Sequence, residues 1–175
     1  MKLFELKPKE SIGPFYLSMS KQEVEKIVGT VSYRKVESEK IKGIEKSSHY
    51  ESCLHLEYEQ NRVIFIGLMY DDGLSLVYEN QDLFKLKDVE ILSIFNQLGD
   101  YDKNLSDLEY MYVYNDLQLA FYREMYPAIL KQEMDALLPD DPEYNEQLEC
   151  YIEAIEKYQY FQQFIVFRKD YYTLC

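Results

Sequence analysis

Four side chains of types that bind metal ions occur at odd-numbered positions between residues 49 and 57. They are His49, Glu51, His55 and Glu57. On one continuous β-strand these side chains would point to the same side, and two imidazoles with two carboxylates can hold zinc or another transition metal. The residues on the other side are apolar: Leu54, Leu56 and Tyr58. We therefore expect the histidine side of a strand over 51–59 to face solvent. A metal-binding protein or an enzyme built on this side is the alternative.

Other catalytic patterns are absent from the sequence. It holds no Ser-His-Asp arrangement, no phosphate-binding glycine loop and no nucleophile elbow, and it has only 6 glycines. Asp71 and Asp72 could act as a carboxylate pair, but Gly73 directly after them is typical of a turn. We expect no catalytic residue, no metal and no cofactor.

A stripe of carboxylates is the strongest candidate for a binding surface. No Lys or Arg occurs between Lys131 and Lys157, a stretch with nine acidic residues. On a helix predicted over 142–158, four of them follow at steps of three and four residues, and so share one face: Glu146, Glu149, Glu153 and Glu156. This acidic stripe is either a solvated helix face or a surface for a basic protein partner.

Tyrosines supply a second candidate surface. The chain has 18 Tyr and no Trp, and Tyr110, Tyr112 and Tyr114 alternate along one predicted strand. Tyrosine gives rigid, amphipathic contact area at interfaces. The same ladder can instead stabilise the sheet through cross-strand pairs, or join copies of the chain in a homo-oligomer.

Charge and length limit the class of protein. The 175 residues carry a net charge of −13, and residues 63–175 hold 22 acidic against 8 basic side chains. Such a balance disfavours nucleic acid and anionic membranes as partners. The longest apolar run is too short to span a bilayer, and the N-terminus does not resemble a signal peptide. Three cysteines without a paired spacing, Cys53, Cys150 and Cys175, indicate reduced thiols in a cytoplasmic protein.

The elements that must position these residues are predicted from periodicity and caps. Helix 20–28 has a Ser20–Glu23 capping box and Gly29 at its end. Helix 86–98 should bury Val89, Leu92 and Phe95, with Ile91 and Ile94 widening the buried stripe, and should end at Gly99. Residues 32–47 are predicted to form an exposed loop or irregular hairpin. The other predicted elements are strands 51–59, 62–69, 74–78, 108–114, 117–122 and 160–167, and helices 128–138 and 142–158.

The order of these elements suggests a degenerate duplication. Each predicted unit runs from a helix through a glycine to a hairpin. We predict one α+β domain over 1–175, with pseudo-repeats over about 12–78 and 84–167 and a helical insertion over about 128–158. Its antiparallel strands should form one sheet with the helices on one face.

The segment Ile12-Gly13-Pro14-Phe15-Tyr16-Leu17-Ser18-Met19-Ser20, continued by a helix to Gly29, resembles the opening of known repeats. These are the SmpA/OmlA-like and β-lactamase-inhibitor-like repeats, and the segment is also similar to the opening of small acidic bacterial immunity-type proteins. The resemblance implies a small, non-enzymatic protein-binding module of α+β fold. An immunity-type inhibitor of a basic toxin is the specific function that we expect.

Overall fold

Within the described residues the chain forms four α-helices and two β-sheets, which confirms the α+β class. A computed structural model describes residues 2–30, 32–36, 43–107 and 110–172. The helices are α1 (Lys21–Val28), α2 (Asp88–Phe95), α3 (Pro127–Asp135) and α4 (Tyr144–Lys157). The strands are β1 (Lys2–Lys7), β2 (Ser11–Ile12), β3 (Phe15–Tyr16), β4 (Arg34–Val36), β5 (Ile44–His49), β6 (Leu54–Glu59), β7 (Arg62–Met69), β8 (Leu74–Tyr78), β9 (Gln81–Asp82), β10 (Met111–Tyr114), β11 (Leu119–Tyr122) and β12 (Gln163–Phe167).

The strands form two sheets where one was predicted. The larger has the order β10-β11-β12-β7-β6-β5-β4 and is antiparallel throughout. The smaller has the order β3-β2-β1-β8-β9 and contains one parallel pair, β1 with β8. Strand β1 was not predicted, although Phe4 and Leu6 alternate inward along it.

Helix α1 forms as its sequence predicts. The Ser20 hydroxyl accepts a hydrogen bond from the Glu23 backbone N–H, and the Glu23 carboxylate accepts one from the Ser20 backbone N–H at 2.7 Å. This reciprocal box satisfies two donors that a helix start leaves unpaired. Gly29 ends the helix with φ +84°, a conformation that glycine adopts without a Cβ penalty.

Both predicted helices of the repeat pack on the same face of the large sheet. Val24 of α1 and Ile91 and Phe95 of α2 belong to one buried cluster, together with residues of the small sheet and of β6, β7, β11 and β12. A smaller cluster containing Ile165 and Phe167 lies on the opposite face of the large sheet. The shared face agrees with the order of elements that suggested a duplication, and the duplication itself stays a prediction.

Helix α2 is shorter than predicted, and one residue of its predicted buried stripe faces solvent. It runs from Asp88 to Phe95 and buries Ile91 and Phe95, whereas Val89 is exposed. Apolar residues occur around most of this helix, so its periodicity did not specify one inward face. The C-terminal end of the helix also differs from the prediction. The helix is capped at Asn96, and Gly99 does not have a positive φ.

The predicted strand 51–59 begins later than expected, and a second strand precedes it. Tyr50, Glu51 and Ser52 all have positive φ and form a turn between β5 and β6. Strand β5 lies within and just beyond the segment predicted to be an exposed loop or irregular hairpin; it pairs with β4 there and with β6 along its length. The turn separates His49 from His55 by placing them on different strands.

Candidate functional site

Helices α3 and α4 form a two-helix arm that buries few of its side chains. The two helices contact chiefly each other. Leu130 is the one buried residue of α3, and α4 has none. Pro127 occupies the first turn of α3, where its missing N–H costs nothing.

The bounds of both helices of the arm differ from the predicted ones. Helix α4 starts at Tyr144, because Asp141 accepts a hydrogen bond from the Glu143 backbone N–H at 2.8 Å and so closes a turn. Asp141 therefore does not cap the helix, and Pro142 lies before it. Helix α3 ends at Asp135, three residues earlier than predicted.

A buried arginine fixes the base of the arm to the sheet and to α2. Arg123 is only 1% exposed, and its guanidinium donates to the Asp88 carboxylate at 2.6 Å and to the Tyr158 carbonyl at 3.2 Å. The Asp88 backbone N–H donates in turn to the Gln159 carbonyl at 2.8 Å. The start of α2 and the end of α4 are thus joined through one charged group, which the sequence reasoning missed because an isolated arginine after a strand carries no motif.

The acidic stripe lies on the outer face of the arm. All four of its glutamates are exposed. The half-buried residues of α4 follow the opposite side of the helix: Tyr144, Gln147, Leu148, Tyr151, Ala154, Ile155 and Tyr158. Ile152, by contrast, is 53% exposed. It lies three residues after Glu149 and four before Glu156, so the stripe has an apolar side chain beside its carboxylates.

Of the tyrosines of the second hairpin, one lies in the core and the others are half-buried. Tyr114 is fully buried, and its hydroxyl donates to the Asn96 side-chain oxygen at 2.7 Å. Burial raises the pKa of this phenol well above its usual range. Tyr112 is half-buried against Tyr101 and Phe161. Tyr114 therefore offers no surface to a partner, and these rings act as the cross-strand ladder that was the alternative.

Tyr110 lies just before β10 and outside the ladder. It is half-buried, and its backbone N–H donates to the Asp107 carbonyl at 2.8 Å. Of the three tyrosines, Tyr112 and Tyr114 share a face, because both pack against the larger buried cluster.

The structure does not bring the two histidines to one side of the sheet. His49 pairs across from Leu54, and His55 pairs across from Ser48. Facing residues of an antiparallel pair share a face, so the two imidazoles lie on opposite faces. The His49 Nε2 atom is 2.9 Å from the Ser47 hydroxyl on the core side, and the His55 Nδ1 atom is 3.1 Å from the Ser48 hydroxyl.

The two glutamates of the candidate metal site have other surroundings. Glu51 lies in the turn between β5 and β6 and is exposed. Glu57 is buried, pairs with the Lys46 ammonium and accepts a hydrogen bond from the Tyr171 hydroxyl at 2.8 Å. Within the described residues, no three His, Cys, Asp or Glu side chains form a group that could hold a metal ion.

The remaining candidates have simple structural roles. Asp71 accepts a hydrogen bond from the Gly73 backbone N–H at 2.8 Å, as expected of a turn. Cys53 and Cys150 are free thiols, and Cys175 lies outside the described residues. No helix in the described part of the chain is both long and apolar enough to cross a membrane.

A comparison of the chain with models of protein families, with curated proteins and with solved structures finds no match.

Proposed function

We propose that this chain is a non-enzymatic, cytoplasmic protein-binding module that binds a basic protein through the outer face of its α3–α4 arm. The specific form that we propose is an immunity-type inhibitor, whose target is a basic toxin. The observation that carries the proposal is the exposure of all four stripe glutamates on a helix that buries no residue of its own.

The charge arrangement supports a binding role. Neighbouring glutamates at steps of three and four residues cost a helix a few tenths of a kcal/mol for each pair. Lysines placed between them would remove this cost and keep the helix polar, yet α4 has no base before Lys157. A cationic partner would remove the same repulsion when it binds.

The surroundings of the stripe also suit a protein interface. The exposed Ile152 provides an apolar contact, and the carboxylates beside it can steer a basic surface toward it. The Arg123–Asp88 pair holds the base of the arm, so the stripe is presented on an anchored element. Preorganisation of this kind lowers the entropic cost of association.

The test is a charge reversal in the stripe. Glu149→Lys with Glu153→Lys should leave the fold intact or slightly more stable, because repulsion with the flanking acids is relieved. The wild-type chain is used to capture its partner from the native host at low salt. We expect the double variant to associate with that partner about tenfold or more slowly at low salt, and with a flatter salt dependence.

The matched control moves the same charge change away from the arm. Glu10 and Asp116 are exposed acids elsewhere, and Glu10→Lys with Asp116→Lys alters the net charge by the same amount. This control should retain most of the wild-type association rate. The inhibitor proposal further predicts that co-expression of the wild-type chain neutralises a toxic partner, and that the stripe variant does so less well. An unchanged association rate for the stripe variant at low salt would show that the stripe is only a solvated face.

A further inference from the structure

A cavity of about 380 Å³ opens between the end of α4, the segment that leads from it to β12, and the 3-10 turn Leu83–Lys85 that follows β9. Its walls are largely aromatic, and its floor is formed by the buried rings of Phe84 and Phe161. Tyr160 and the half-exposed Tyr70 stand at its walls, and Tyr70 packs edge-on against Phe84 with ring centroids 5.5 Å apart. Four aromatic rings around one opening form a site for a flat, apolar group.

Two lysines line the same cavity and differ in their partners. The Lys85 ammonium is 3.3 Å from the Asp82 carboxylate. Lys157 has no carboxylate within ion-pair distance among the described residues, and its ammonium lies 4.9 Å from the centre of the Tyr158 ring. In a chain of net charge −13, Lys157 is a cation that stays available to a ligand.

The other polar groups of the cavity are already paired. The Gln162 side-chain oxygen accepts from the Glu124 backbone N–H at 3.1 Å, and its amide donates to the Tyr160 carbonyl. The Tyr70 hydroxyl donates to the Asp72 carboxylate at 2.6 Å. A ligand therefore finds aromatic walls and the ammonium of Lys157, while the Asp72 carboxylate lies beside the Tyr70 hydroxyl.

From this arrangement we propose that the cavity binds a small aromatic monocarboxylate. The ring of the ligand lies among the four aromatic side chains, and its carboxylate pairs with Lys157. Asp72 and Asp82 repel a second negative charge on the Tyr70 side, so a monoanion fits better than a dianion. The volume is at the small end of ligand sites, which suits one ring system. This site is separate from the acidic stripe and does not depend on the function proposed for it.

The test uses two probes with the same ring and different charge. Indole-3-acetate carries a carboxylate, and indole-3-acetamide is its neutral counterpart. Because the chain has no Trp, the indole fluorescence of either probe can be excited selectively and followed during titration. We expect saturable binding of the acetate, and binding of the acetamide weaker by about tenfold, the effect of one charge-assisted hydrogen bond.

Substitutions at Lys157 test whether its ammonium binds the carboxylate of the probe. Lys157→Gln should lower the affinity for indole-3-acetate by about tenfold and leave the affinity for indole-3-acetamide unchanged. Lys157→Arg should retain most of the affinity for the acetate. Tyr160→Leu should lower the affinity for both probes, because it removes part of the aromatic wall. Lys131→Gln is the control, since it deletes an exposed charge of the arm outside the cavity.

Three results would overturn the proposal. One is equal affinity for the charged and neutral probes, and another is an equal loss in Lys157→Gln and Lys131→Gln. The third is the absence of saturable binding of indole-3-acetate up to about 10 mM, where the interaction is weaker than about 3 kcal/mol. Thermal unfolding of each variant confirms that a loss of binding is not a loss of fold.

Discussion

At the scale of single residues, both histidines have a pKa that folding lowers. Burial lowers the pKa of His49 below its usual value, with a further contribution from the charge of His55. Burial also lowers the pKa of His55, and the neighbouring Lys46 ammonium acts in the same direction. The folded chain therefore favours both imidazoles in the neutral form.

This predicts how stability depends on pH. A base whose pKa is lower in the folded state binds protons more readily when unfolded, so acid favours unfolding. The stabilising contribution is fully present above the unfolded pKa of about 6.5 and is lost as the pH falls from there through the lowered folded pKa. Urea unfolding between about pH 7.5 and 5.5 should show a falling free energy of unfolding in the wild-type chain.

The control for this prediction replaces both groups that titrate. His49→Gln with His55→Gln keeps a polar side chain next to Ser47 and Ser48 and removes the titration. Its unfolding free energy should vary less with pH over the same range. Equal slopes for the variant and the wild-type chain would show that other groups cause the pH dependence.

At the scale of elements, the Arg123–Asp88 pair determines how firmly the arm is held. Arg123→Met leaves the partly buried Asp88 carboxylate without its guanidinium and removes the donor to the Tyr158 carbonyl. Breaking one side of a buried pair costs several kcal/mol, and the partial exposure of Asp88 places the expected loss at about 2–3 kcal/mol. Hydrogen exchange should also become faster at the junction of the arm.

The matched control is an exposed arginine pair. Arg62 is 4.0 Å from Glu23 and both side chains are more than half exposed, so Arg62→Met should cost less than about 1 kcal/mol. In addition, Asp88→Asn should be less harmful in the Arg123→Met background than in the wild-type chain, because the pair is already broken. If both arginine variants lose the same stability, Arg123 does not anchor the arm.

The sequence predicted the elements that depend on local signals and missed those that depend on distant partners. The capping box and Gly29 define α1 within ten residues, and the turn at Gln60 and Asn61, both with positive φ, closes the predicted β6–β7 hairpin. In contrast, the parallel pairing of β1 with β8 joins residues about seventy positions apart, and no local pattern encodes it.

In the candidate site too, the features that depend on local periodicity were predicted, and those that depend on distant partners were not. Helical periodicity was enough to place the four stripe glutamates on one exposed face, because α4 has one polar and one apolar side. Strand periodicity predicted that Tyr112 and Tyr114 share a face. It did not predict which residues pack over that face. Phe95 packs on Tyr114 and Phe161 packs on Tyr112 from elements that are distant in sequence. Tyr114 is therefore part of the core, and Tyr112 is half-buried.

At the scale of the whole molecule, the second face of the large sheet depends on residues near the end of the described chain. The buried cluster on that face is covered, within the described residues, by Leu105, Met111, Tyr171 and Tyr172. The Tyr171 ring packs on Phe65 with centroids 5.1 Å apart, and its hydroxyl donates to the buried Glu57 carboxylate. Tyr171 therefore covers apolar surface and also satisfies a buried charge.

Two substitutions at Tyr171 separate these roles. Tyr171→Phe keeps the ring and removes one donor to Glu57, so it should cost about 1–2 kcal/mol of unfolding free energy. Tyr171→Ala also exposes Phe65, so it should cost about 2–4 kcal/mol and increase the binding of an apolar dye. Tyr172→Phe is the control, because the Tyr172 hydroxyl meets the weak acceptor sulfur of Met111 at 3.7 Å, and we expect a loss below about 0.5 kcal/mol. Urea unfolding measures all three. If Tyr171→Phe is as mild as Tyr172→Phe, the Glu57 carboxylate is satisfied by Lys46 without the phenol, and Tyr171 contributes to the sheet only by covering it.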